Sequence, residues 1–195
     1  MGAKRLEKKD HPIDARVRAF FGLPLPEEHR EALGRYIAQS AGITPDFRWV
    51  PPQNLHLTVR FIGSVDRGLA EGIADRLAES HLASFGLALG DLGTFKRGRL
   101  VRVAWLGLTS GVEAAQSLAA QVDVECVRAG LDSEKRAFRP HLTLARARAR
   151  IGAALPSLPD APVFRPWKAD ELVLYQSHLS PKGSVYEPLR RLRLD

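Results

Sequence analysis

The feature that most constrains this 195-residue chain is a short motif that occurs twice. His56-Leu57-Thr58 and His141-Leu142-Thr143 are both followed by an aliphatic residue. Random placement of the histidines and threonines predicts only about 0.15 His-x-Thr occurrences, so two matched copies are not a chance result. Alternation along a β-strand puts each His and Thr on one face and the central leucine on the other. The repeat therefore predicts two strands that present the same polar pair, each backed by buried leucine.

The rest of the chain predicts a mixture of strands and helices. Several steps between predicted strands are too short for a helical crossover, which favours an α+β fold over a doubly wound parallel sheet. The pattern predicts residues 1–15 as a flexible extension and residues 16–195 as a single domain. Strands are predicted at 16–25, 55–62, 85–92, 100–108, 138–145, 171–176 and 185–194, and helices at 27–39, after Asp66 as an N-cap, and at 112–128.

Composition narrows the class of protein further. Lys and Arg total 29 against 22 Asp and Glu, and this net charge of +7 favours an anionic partner such as nucleic acid or a nucleotide. The single cysteine, Cys126, excludes an internal disulfide framework and a multi-cysteine zinc site. No apolar run reaches the ~18 residues of a membrane span, and no secretory signal pattern is present. We therefore expect a soluble, cytoplasmic protein without membrane contact.

The paired motifs suit a particular chemistry. Two strands of this kind can direct two imidazoles and two hydroxyls into one cleft. An ordinary imidazole pKa of ~6.5 allows one ring to be neutral and the other protonated near pH 7. Phosphoryl transfer needs such a pair, a base for the attacking oxygen and an acid for the leaving oxygen. The Thr58 and Thr143 hydroxyls can donate to the non-bridging phosphate oxygens.

Structural, metal-binding and purely RNA-binding roles for the histidines are each less well supported. A single His-x-Thr is most simply a packed strand residue, but the matched pair argues against that. A metal site is disfavoured because no His-Glu-x-x-His or His-x-His occurs and no acidic residue or cysteine has supporting spacing. A module that only binds RNA ends would more naturally use Arg or Lys, which stay charged.

The segments around both motifs carry a family resemblance. The chain resembles the 2H phosphoesterases, and within them the RNA 2′,3′-cyclic phosphodiesterase (2′-5′ RNA ligase, LigT/ThpR) family, from about Arg16 to its end. It departs from the family mildly, in the N-terminal extension and in Val59-Arg60, where Leu-Arg or Leu-Lys is more frequent. The resemblance is carried by residues 18–24, 49–63, 138–146 and 174–177, with Gly183 and Tyr186.

That resemblance implies a fold and an activity. The fold is a bilobal, pseudo-two-fold α+β structure, with two antiparallel sheets flanking a central cleft and helices outside. The family opens a terminal 2′,3′-cyclic phosphate to a 2′-phosphomonoester without metal or other cofactor. His56 would then be the proton donor to the departing 3′ oxygen and His141 the base that activates water. Expected substrates are RNA ends, including tRNA halves that some members join through a 2′-5′ bond. Small cyclic nucleotides remain the alternative substrate, and a monomer is expected.

Arginines near the motifs are further candidates for phosphate binding. Strand parity puts Arg60 on the face of His56 and Arg139 on the face of His141. Parity puts Arg146 on the opposite face, although the family carries a phosphate-associated arginine there, and a bulge would redirect it. A second basic cluster comprises Lys96, Arg97, Arg99 and Arg102. Base-stacking candidates are Phe20, Phe21, Trp49 and Tyr175, of which we expect at least two to be core residues.

Overall fold

The structure is a computed structural model that describes residues 16–180 and 183–195. The predicted extension at residues 1–15 lies outside them. Within the described residues the chain forms nine strands and three helices, with a short 3₁₀ turn at Pro52–Asn54. In order they are β1 (Arg16–Pro24), α1 (Glu27–Ile43), β2 (Phe47–Trp49), β3 (His56–Asp66), α2 (Arg67–Glu79), β4 (Phe85–Arg97), β5 (Leu100–Ser110), α3 (Val112–Arg128), β6 (Leu142–Ala147), β7 (Trp167–Ala169), β8 (Glu171–Ser180) and β9 (Gly183–Arg193).

All of the paired strands are antiparallel, in the order β7-β4-β5-β6-β3-β1-β8-β9, with β2 attached to β6. Two half-sheets, β7-β4-β5-β6 and β3-β1-β8-β9, meet where β6 pairs with β3 at a single residue pair, Leu57 and Leu142. The predicted α+β class is confirmed. The family resemblance implied two antiparallel sheets. In the structure they are two half-sheets of one continuous sheet, joined at this residue pair.

The junction relates the two motifs by a local two-fold axis. Leu57 and Leu142 are the central residues of the motifs and face each other across antiparallel strands. Both side chains are fully buried, and they share one core with the apolar sides of α1, α2 and α3. Since His and Thr alternate with these leucines, they emerge on the opposite side of the sheet. We call that side, which carries His56, Thr58, His141 and Thr143, the motif face.

Each motif strand contains a β-bulge at the equivalent position. In β3 the extra residue is Val59, because Thr58 pairs with Gly22 while Arg60 pairs with the next residue, Phe21. In β6 it is Leu144, since Thr143 pairs with Trp105 and Ala145 with Ala104. One extra residue shifts the alternation of faces by one position beyond it. Arg60 is thereby turned toward the helices and Arg146 toward the motif face.

Some predicted elements have the expected bounds and others do not. Helix α3 has the predicted bounds, and Asp66 caps α2 by accepting from the Leu69 N–H at 3.0 Å. Helix α1 continues past the predicted end at residue 39, through Gly42 to Ile43. A glycine costs a helix only about 1 kcal/mol, which is not enough to end it. Strand β6 begins at Leu142 rather than residue 138, since Pro140 has no N–H for the ladder.

Candidate active site

The His56 ring is held at both nitrogens. Nδ1 lies 2.7 Å from the backbone carbonyl of Asn54, which can only accept, so Nδ1 carries the proton of the neutral ring. Nε2 lies 3.0 Å from Oγ1 of Thr58, and the hydroxyl therefore donates to its electron pair. The two bonds fix the tautomer and orientation of His56.

The His141 ring repeats half of this arrangement. Its Nδ1 lies 2.7 Å from the carbonyl of Arg139, again two residues earlier, so the same tautomer is present. Phe95 packs edge-on against the ring with centroids 5.1 Å apart, and the Trp105 centroid lies at 6.1 Å. Among the described residues Nε2 of His141 has no hydrogen-bond partner. Its electron pair is available to accept a proton.

The antiparallel junction determines how the four side chains are arranged. With Leu57 opposite Leu142, each histidine falls beside the threonine of the other motif. The two histidines are then diagonal neighbours, with an expected backbone separation of about 7–8 Å. A tetrahedral phosphate between them would have an imidazole on either side and hydroxyls at the other two corners. An imidazole on each side of the phosphorus is compatible with in-line displacement.

Burial favours the neutral form of both histidines in the free protein. The pKa of His56 is lowered to about 4, first by burial and then by the Arg146 charge, against the opposing effect of the Asn54 carbonyl. The pKa of His141 is also lowered, first by burial and then by Arg146, against the opposing effect of the Arg139 carbonyl. The Arg146 charge thus reaches both rings, and an anion bound between them would raise both pKa values.

An aromatic cluster surrounds His56. Phe20 stacks on its ring with centroids 4.7 Å apart, Tyr175 stacks on Phe20 at 5.1 Å, and Tyr186 packs edge-on at 5.2 Å. Gly22 provides the space, since a Cβ there would lie 3.1 Å from Cδ2 of His56. Of the four aromatic candidates Phe21 and Trp49 are core residues, as expected for at least two of them, and Phe20 and Tyr175 adjoin His56.

The prediction that Arg60 faces the site is wrong. Its guanidinium is buried against α3 and the following loop, at 2.9 Å from Asp123 and 3.2 Å from Glu134. It also donates to the carbonyl of Asp132 at 2.5 Å. The bulge at Val59 is the reason, because it breaks the alternation on which the parity argument depended. Arg60 anchors the segment that leads to the second motif.

The other two arginines differ in how parity applies to them. Arg146 follows the bulge at Leu144 and is exposed on the motif face, which is the redirection that a phosphate contact from this residue requires. Arg139 precedes β6, so strand parity does not apply to its exposed side chain, and its backbone carbonyl is the group that contacts His141. Phosphate contacts from Arg146 and Arg139 stay predictions.

Sequence reasoning missed Asn54, Phe95, Trp105 and Tyr186. Asn54 contributes only a backbone carbonyl, which no residue type reveals. The position of Trp105 could have been predicted from the sequence, because Trp105 alternates with Ala104 and Leu106. Both of these residues are fully buried on the other face. Its ring lies directly on Gly93, where a Cβ would collide with it. Tyr186 matched the family pattern, but nothing in the sequence placed it beside His56. Phe95 depends on pairing between distant strands, for which a single sequence has no signal.

The described residues contain no group of three or more His, Cys, Asp or Glu placed to hold a metal ion. None of their helices is long and apolar enough to cross a membrane. Two concavities of about 680 and 510 Å³ lie elsewhere, one beside Pro26 and Trp167 and one beside Arg60 and Lys135. His56 and His141 line neither of these two concavities, and both are half-buried.

Comparisons with known proteins agree with this duplicated geometry. A family model described as LigT like phosphoesterase matches residues 23–105 and again residues 106–186, one match for each motif. An RNA 2′,3′-cyclic phosphodiesterase of Thermus thermophilus is 32% identical over 192 residues, covering 91% of this chain and 90% of the relative. One of the same name from Geobacillus stearothermophilus is 32% identical over 178 residues, 87% of this chain, which spans only 55% of that relative's length.

A solved structure is similar over nearly the whole chain. The crystal structure of E. coli LigT complexed with 3′-AMP has a TM-score of 0.79 and 28% identity, covering 92% of this chain and 99% of that one. The fold and its paired His-x-Thr face are those of the two-histidine phosphoesterases. Within that class the chain belongs to the LigT like phosphoesterase family, whose model matches most of its length.

Proposed function

We propose that this protein is an RNA 2′,3′-cyclic phosphodiesterase that converts a terminal 2′,3′-cyclic phosphate into a 2′-phosphomonoester by acid–base catalysis. The observation that carries the proposal is the two-fold related pair of His-x-Thr motifs joined at Leu57 and Leu142. The names of the Thermus and Geobacillus relatives support the substrate class. The net charge of +7 supports an anionic polymer.

Substrate binding prepares the two histidines for their roles. The cyclic phosphate lies between the diagonal imidazoles, with the Thr58 and Thr143 hydroxyls and the Arg146 guanidinium directed at its non-bridging oxygens. Its negative charge opposes the lowering of the histidine pKa values by burial and by Arg146. His56 thereby gains the proton that its free form lacks, while its Nδ1 still donates to the Asn54 carbonyl.

The displacement then moves two protons. Nε2 of His141 accepts a proton from water as the water oxygen bonds to phosphorus. The bond between phosphorus and the 3′ oxygen breaks, and Nε2 of His56 delivers its proton to that oxygen. The products are a 2′-phosphomonoester and a free 3′-hydroxyl, and the histidines have exchanged protonation states. The roles of the two histidines follow the family; the open Nε2 of His141 supports its assignment as the base.

Ligation is the same chemistry with another nucleophile. If the 5′-hydroxyl of a second RNA replaces water, the product is a 2′-5′ bond, with tRNA halves as one candidate pair of ends.

The ligase activity, the monomeric state and the cytoplasmic location stay predictions from the sequence. So do residues 16–195 as one catalytic unit and a reaction without metal or other cofactor.

The direct test is incubation of purified, EDTA-treated protein with a 2′,3′-cyclic mononucleotide and with an RNA hexamer ending in a 2′,3′-cyclic phosphate. We expect turnover of at least one substrate, with a 2′-phosphomonoester identified by ³¹P NMR. Activity that is lost with EDTA and restored by Zn²⁺ or Mn²⁺ would move the site to the metal-dependent class. Tight binding of both substrates without turnover would instead support an RNA-end binding module.

A further inference from the structure

An exposed aromatic ring continues the motif face beyond the histidine site. Phe61 is 42% exposed and pairs in register with Phe20, whose own ring stacks on His56. Because of the bulge at Val59, Phe61 rather than Arg60 is on this face. Phe61 is three residues beyond Thr58, a distance of about 10 Å along the strand. The ring therefore lies next to the site but outside it.

A positive charge accompanies this ring. The guanidinium of Arg18 lies over Phe61, with its carbon 4.5 Å from the ring centroid, and Arg18 is itself exposed. No carboxylate of the described residues forms an ion pair with Arg18. An aromatic surface beside an unneutralised arginine is the combination with which proteins bind single-stranded RNA, the ring for a base and the cation for its phosphate.

The matching position in the other half of the molecule carries a cation in place of an exposed aromatic ring. The two-fold axis that exchanges the motifs exchanges Phe61 with Arg146 and Phe20 with Val103, because each pair occupies matching register positions beside a bulge. At these two positions the second half has the exposed Arg146 and the aliphatic Val103, whereas the first half has two aromatic residues. The asymmetry gives the RNA strand a direction in which to leave the site.

We propose that Arg18 and Phe61 bind the nucleotide on the 5′ side of the terminal cyclic phosphate. Its base packs on the exposed part of the Phe61–Arg18 pair and its phosphate lies within reach of the guanidinium. The assignment rests on the proposed function, because it presumes that the cyclic phosphate lies between His56 and His141. It makes this surface the site that distinguishes an RNA end from a free cyclic nucleotide.

The test compares two substrates in matched variants, Phe61→Leu and Arg18→Gln, with Arg35→Gln on the exposed side of α1 as the charge control. On the hexamer, Phe61→Leu should lower kcat/KM at least about fivefold, the lower end of what one stacked base contributes. On the cyclic mononucleotide it should change kcat/KM less than twofold. Arg18→Gln should weaken use of the hexamer and reduce its salt dependence, whereas Arg35→Gln should do neither.

An equal loss on both substrates, or no loss on the hexamer, would overturn the assignment while leaving the phosphodiesterase activity intact. The proposed function fails separately, if the unaltered protein hydrolyses neither substrate. In that event, fluorescence anisotropy with a labelled hexamer carrying a 3′-phosphate makes the same comparison by binding. Hexamer affinity that is unchanged in Phe61→Leu, with an unchanged thermal midpoint, then excludes the surface.

Discussion

At the scale of single residues, the histidines are distinguished by what holds them. Each Nδ1 donates to the carbonyl two residues earlier, so the backbone sets the same tautomer in both rings. The surroundings of the two rings differ, because His56 also accepts a hydrogen bond from Thr58 and stacks on Phe20. Two chemically identical groups can thus take different roles on one face.

Replacing either histidine should abolish most activity without unfolding the protein. His56→Ala and His141→Ala should each lower turnover by at least ~10²-fold, the usual contribution of a positioned acid or base. Steady-state kinetics on the cyclic mononucleotide measure the loss, and circular dichroism checks the fold. Near-normal activity in either folded variant would remove the acid–base assignment.

The Arg146 charge should be visible in the titration of both rings. It lowers the pKa of His56 and of His141, so Arg146→Gln should raise both values toward the ordinary ~6.5. NMR titration of the imidazole Cε1–H signals measures the shifts directly, and Arg35→Gln serves as the control. The limbs of the pH profile of kcat/KM should move to higher pH in the same direction. Unchanged titration curves would show that the Arg146 charge does not reach the rings.

At the scale of elements, the prediction of side-chain faces from the sequence fails at the β-bulges. The alternation of Leu57 with His56 and Thr58 was readable from the sequence, and so was the whole of α3. Parity failed at Arg60 because an inserted residue is indistinguishable, in one sequence, from a regular strand position. The bulges are set by pairing with β1 and β5, and such long-range pairing has no local signal.

The close approach of β1 to His56 makes Gly22 a sensitive position. A Cβ would lie 3.1 Å from Cδ2 of His56 and 3.2 Å from the Leu57 carbonyl, so one of them must shift. We expect Gly22→Ala to lower kcat about tenfold, because a misplaced acid loses much of its effect. Gly86→Ala in β4 is the control, since a Cβ there meets nothing within 4 Å. Equal kcat values in the two variants would mean that the backbone of β1 shifts and His56 keeps its position.

At the scale of the whole molecule, stability and the site are coupled through pH. The pKa of His56 is about 4 in the folded chain and ~6.5 when unfolded, so between these values the unfolded chain binds more protons. Stability contributed by neutral His56 is therefore complete above pH ~6.5 and is lost as pH falls toward 4. His56 is half-buried rather than fully buried, and screening by solvent limits the loss to about 1–2 kcal/mol.

That loss should depend on the His56 ring. Urea unfolding at pH 7 and pH 4.5 gives the free energy of unfolding at each pH, and other titrating groups cancel in the comparison with His56→Gln. We expect a smaller pH-dependent loss in the variant by about 1 kcal/mol. The same slope in both proteins would show that His56 titrates normally in the folded state.

The single residue pair that joins the half-sheets affects the order of events during folding. Leu57 and Leu142 are far apart in the chain, and closing so long a loop is entropically costly, whereas the three helices form from local contacts. Neither half holds both histidines, so a chain in which each half is ordered but the junction is open has no site. During refolding, recovery of activity should trail the return of the helical circular dichroism signal. Simultaneous recovery would mean that the junction forms with the first structure to appear, and would place Leu57 and Leu142 in the folding nucleus.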